Sequence, residues 1–89
     1  MRVSNRFVFR KIGQDHLLIP KGKAAMEVKG LIAMSESAVM LYEMLAEDCS
    51  REKLIAALVA EYGIAEEVAA EDTDAFLDQM RQLHILVED

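Results

Sequence analysis

The sequence predicts an α+β fold, a three-stranded antiparallel sheet followed by three helices. Two observations lead to it. The first third of the chain holds short β-branched and apolar runs separated by turn residues, and from residue 35 onward the apolar residues recur at a 3.6-residue spacing. A third observation limits the size: 89 residues bury only about 60–65% of their unfolded surface, enough for one core and one domain spanning residues 1–89.

Phe7-Val8-Phe9-Arg10-Lys11-Ile12 and His16-Leu17-Leu18-Ile19 read as strands joined by the turn-forming Gly13-Gln14-Asp15, a hairpin. Pro20 ends the second run because it cannot donate to a ladder, and Lys21-Gly22-Lys23 continues as loop. A third run covers Glu27 to Ala33. Its alternation sets Val28 and Ile32 on one face and Leu31 and Ala33 on the other, which leaves its register open.

Ser35 is placed to cap the first helix, whose apolar stripe is Ala38, Leu41, Tyr42 and Leu45. Ser50 is placed to cap the second, with Leu54, Ile55, Leu58, Val59 and Tyr62 on one face and Gly63 as its terminator. The third helix, the longest, carries Ala69, Thr73, Phe76, Leu77, Met80 and Leu83; it opens on Glu66 and Glu67 and closes near Arg81 and His84, charges that suit the helix dipole. Ile85-Leu86-Val87 fits either a short strand or an extended tail.

Composition excludes several classes. With 53% hydrophobic and 29% charged residues and no low-complexity tract, the chain is expected to fold. No apolar run approaches the ~18 residues of a membrane span, the first six residues lack a secretory h-region, and the single Cys49 suits a reducing compartment. A cytoplasmic protein without membrane contact is expected. The net charge of −6 hides a division: residues 1–34 carry seven basic side chains against two acidic (+5), and residues 35–89 carry three basic against fourteen acidic (−11).

Catalytic parts are missing. Two histidines, one cysteine and no glycine-rich elbow do not assemble a nucleophile with its base. His16 and His84 lack partners at metal-ligand spacing, so no metal or cofactor is expected. Asp72, Asp74 and Asp78 read as a solvated helix face, and Gly22 and Gly30 lack phosphate-loop spacing. The element order is also winged helix-turn-helix-like, but the third helix carries six acidic side chains against Arg81, a poor match to phosphates. Nucleic acid is therefore not an expected partner. A regulatory or dimerisation module of winged-helix type remains the alternative reading. Ser35 and Ser37 sit at a helix start, as in carrier proteins, yet the Asp-Ser-Leu context is absent.

Leu18-Ile19-Pro20, then Leu31-Ile32-Ala33-Met34-Ser35-Glu36-Ser37-Ala38, then Tyr42-Glu43-Met44-Leu45 resemble the PqqD family across nearly the whole chain. That family typically shows Leu-Asn-x-Thr-Ala entering its first helix, and Met34, Ser35, Ser37 and Ala38 stand at the corresponding positions. The resemblance implies a RiPP recognition element: a non-catalytic domain that holds the leader of a ribosomally made precursor peptide while an enzyme, often a radical SAM protein, modifies its core.

It also implies that the leader adds as a strand beside the third strand and lies in the groove next to the third helix. The residues expected to line that groove are Val28, Leu31 and Ile32 from the strand and Phe76, Met80 and Leu83 from the helix, with Lys29 and Arg81 placed to meet leader carboxylates. An unpaired strand edge supports this mode, since a guest backbone can complete its hydrogen bonds. The same edge also permits a homodimer.

Overall fold

In the computed structural model, which describes residues 1–27 and 30–88, the elements run β1 (Arg2–Val3), β2 (Phe7–Ile12), β3 (Asp15–Pro20), α1 (Ala24–Glu27), β4 (Ile32–Met34), α2 (Glu36–Met44), α3 (Arg51–Tyr62), α4 (Glu66–Gln82) and β5 (Leu86–Val87). The hairpin forms because Gly13 accepts a positive φ of 63° at the first position of a two-residue turn, and Ile12 pairs with Asp15 across it. β2 and β3 then pair antiparallel over six residues each, with Pro20 last in its strand.

The third strand is shorter than the run that predicts it. Ala24–Glu27 form one helical turn, Gly30 takes φ 87°, and only Ile32–Met34 pair with β3, antiparallel, as Leu18↔Ile32, Leu17↔Ala33 and His16↔Met34. A residue at Gly30's positive φ bends the chain out of the extended path, so the strand starts after it. Alternation places Ile32 and Met34 on the core face beside Leu18, and leaves Leu31 and Ala33 exposed on the other side.

The three expected helices stand as α2, α3 and α4. Ser35 and Ser50 cap α2 and α3: each hydroxyl accepts from the backbone N–H three residues on, at 3.2 Å. Gly63 closes α3 in the left-handed conformation, donating its N–H to Val59. α4 ends in a Schellman arrangement on a residue other than glycine. His84 takes φ 58°, its N–H reaches the Arg81 carbonyl, and the Ile85 N–H reaches the Met80 carbonyl at 3.1 Å. Ile85 and Met80, both fully buried, form the apolar contact that goes with it.

That reversal delivers residues 86–87 to β1, with Arg2↔Val87 and Val3↔Leu86, so the C-terminal segment is a strand. The core gathers Phe7 and Leu18 from the sheet, Val39, Leu41 and Leu45 around α2, Leu54, Ile55 and Leu58 from α3, and Ala69, Phe76, Leu77 and Met80 from α4. Each fully buried leucine contributes about 1.5–3 kcal/mol. Tyr62, expected on the apolar face of its helix, is 41% exposed at the last turn of α3. Among the described residues no helix is long and apolar enough to cross a membrane.

Candidate peptide-binding groove

The sheet order β2-β3-β4 makes β4 a border strand. Among the described residues, no other backbone pairs with its outer side. A strand left this way presents a row of unused N–H and C=O groups.

A cavity of about 280 Å³ opens where β4 runs into α2. Ser35, Ser37 and Ala38 form one wall, and Asp72, Ala75, Phe76 and Gln79 of α4 form the other. The α4 residues are spaced i, i+3, i+4, i+7, a single helical stripe. It lies beside the core stripe of Ala69, Thr73, Leu77 and Met80, and Phe76 belongs to both. A second cavity of about 340 Å³ adjoins it, sharing Ser35, Ser37 and Asp72 and continuing past Glu36 to Leu58, Tyr62 and Ile64. The phenol of Tyr62 is pushed above its ordinary value, first by desolvation and then by the charges of Glu36 and Glu61.

The residues expected in the groove are divided by this geometry. Phe76 lines the cavity while staying largely buried. Leu31 is 57% exposed at the entrance of β4, and Ile32 packs on the core from the opposite face, so the two cannot face one wall together. Met80 is fully buried beneath the surface and Leu83 is half-buried against the core. Arg81 is committed to its own helix end: it bonds Asp78 at 2.8 Å and Glu88 at 2.8 and 3.1 Å, which holds the Glu88 carboxyl below its ordinary range. Val28 and Lys29 lie outside the described residues.

Ser35, Ser37, Ala38, Asp72, Ala75 and Gln79 are the lining residues that sequence reasoning missed. Their signal was a stripe of small and polar residues beside the apolar one, with Ala75 and Ala38 short enough to let a guest approach. Elsewhere, His16 stacks on Phe9 with ring centroids 6.0 Å apart. Among the described residues no group of three His, Cys, Asp or Glu side chains could hold a metal ion.

An open strand border and a cavity at its end stand in an α+β domain of winged-helix-like topology. The profile of the family described as "Coenzyme PQQ synthesis protein D (PqqD)" matches residues 17–86, and the chain belongs to that family. The fold is similar to that of a solved structure described as "TbiB1 in Complex with the TbiA(beta) Leader Peptide", with 19% identity, a TM-score of 0.75 and full coverage of both chains. No curated protein matches.

Proposed function

We propose that this chain captures the leader segment of a ribosomally synthesised precursor peptide and presents it to a modifying enzyme, with residues 1–89 acting as one recognition unit. The observation that carries this reading is the open border of β4 ending at a cavity against α4, in a chain of the PqqD family. The similar fold was solved in complex with a leader peptide, which supports leader capture. The guest strand pairs with β4, and its alternate side chains enter the groove or lie beside Leu31 and Ala33. Phe76, Ile32 and Leu83 supply the apolar footing. The role is binding, and a radical SAM protein is the enzyme class it would serve in the cytoplasm.

The energetics are consistent. About four main-chain hydrogen bonds at roughly 0.5–1.5 kcal/mol each and two buried side chains at about 1.5–3 kcal/mol each give roughly 5–12 kcal/mol before association costs, so micromolar binding, about 8 kcal/mol net, needs anchors near the top of that range. Titration calorimetry with the leader of a precursor encoded beside this gene should give a dissociation constant of micromolar or better. No heat with any neighbouring leader would overturn the reading. In the free protein the same border can pair with a second copy, and the leader then competes with the dimer. Sedimentation with and without leader reads that competition.

A further inference from the structure

Resting on that reading, we infer that the groove selects leaders that place a lysine or arginine at the end of β4, with Asp72 as the residue that determines this preference. The cavity there is mixed in character. Ala38, Ala75 and the ring of Phe76 offer an apolar path, and Asp72, Gln79 and the hydroxyls of Ser35 and Ser37 surround it with hydrogen-bond acceptors. A long cationic side chain fits both features, because its methylenes lie on apolar surface while its head group reaches the polar rim.

Charge points the same way. No Lys or Arg lines this cavity or the one that adjoins it, and the second adds Glu36 to the shared Asp72. The arginines of α3 and α4 are already engaged: Arg51 is bidentate on Asp74, and Arg81 holds Asp78 and Glu88. Among the described residues neither Asp72 nor Glu36 takes part in an ion pair. A guest carboxylate would meet this rim without a partner, whereas a guest cation forms a charge-assisted hydrogen bond with Asp72. Ser35 and Ser37, 3.2 Å apart, are tied to each other and to the α2 cap, which keeps that wall in place.

Random twelve-residue peptides displayed on phage and selected on the full chain test the inference. The expected result is enrichment of one Lys or Arg at a fixed spacing from apolar positions. A synthesised winner should protect the amides of Ile32–Met34 from hydrogen exchange and lose at least tenfold in affinity on Asp72→Asn. Changing its cation to Gln should cost the same, and the two changes together no more than either alone. Asp72→Lys should reverse the preference toward Glu. Peptides that protect β4 but show no cation enrichment, or that bind Asp72→Asn within twofold of the unaltered chain, would overturn the inference while leaving leader capture intact. Selection of no peptide, or of peptides that leave the β4 amides unprotected, would overturn both.

Discussion

β3 is treated unequally by its two neighbours. On one side β2 matches it over six residue pairs, and on the other β4 offers three. The first pairing runs unbroken along both strands, joined into a hairpin by Gly13 and packed through Phe7 and Leu18, although β2 is itself the other edge of the sheet. The second begins after Gly30, ends in the cap of α2 and leaves its outer side unpaired among the described residues. The difference separates two jobs. Residues that hold the domain together lie in the helices and the hairpin, and the residues proposed to receive a guest lie where the sheet stops short.

That separation predicts mutations that act on one property only. Leu54 is fully buried between α3 and the core, away from both groove cavities. Leu54→Ala should cost about 2–5 kcal/mol of stability through the lost transfer energy and the void left behind. Urea unfolding measures that loss, while leader affinity of the folded fraction stays unchanged. A smaller effect of the opposite kind is expected at the open border. Leu31, more than half exposed, contributes little to the core, so Leu31→Asp should leave unfolding within about 0.5 kcal/mol but weaken leader binding tenfold or more, about 1.4 kcal/mol. If Leu31→Asp unfolds the domain, the two borders are not separable.

The hairpin and the helices were the legible part. Phe7–Ile12, the turn at Gly13, and the caps at Ser35, Ser50 and Gly63 carry local rules strong enough to be read directly, and the helices follow them. The stretch from 24 to 34 follows weaker ones. Ala24 and Ala25 favour a helical turn that a search for apolar alternation passes over, and the strand starts only after Gly30. The pairing of β1 with β5 depends on the reversal at His84, where a left-handed residue other than glycine gives no sequence warning. The family resemblance points to a groove beside the third helix, but the walls of the cavity there were not legible. Met80 and Arg81 look available along the sequence, yet one is consumed by the core and the other by Asp78 and Glu88. Residues that line a groove are those the core rejects, so apolar periodicity points one stripe to the side of them.

The two serine caps sharpen the comparison, because the chemistry is the same and only the place differs. Ser50→Ala removes the acceptor for the Lys53 N–H and should cost about 1 kcal/mol of stability without touching leader binding. Ser35→Ala removes the equivalent acceptor for Ala38, but this hydroxyl also lines the cavity at the end of β4. Its stability loss should be similar, and it should in addition weaken leader binding severalfold in calorimetry. Equal binding losses from both variants would mean that helix stability in general, rather than the groove wall, sets affinity.

The smallest effect concerns the ion pair joining the two long helices. Arg51 on α3 donates two hydrogen bonds to Asp74 on α4, at 2.7 and 2.9 Å, and the carboxyl is held below its ordinary value of 3.8, chiefly by those bonds. A carboxylate depressed in the folded state contributes stability that is fully present above its unfolded value and is lost as pH falls toward and through the folded one. Both side chains are about half exposed, so solvent screens the pair and the contribution is small. Arg51→Met should therefore lower stability slightly at pH 7 and converge with the unaltered protein as pH falls through the depressed folded value, where the aspartate becomes protonated in both. Added salt at neutral pH should narrow the same gap, since screening acts on exposed charges. Leader affinity should not change, because neither residue lines the groove cavities. A variant that kept its deficit at low pH would place Arg51's role in packing along α3 rather than in its charge.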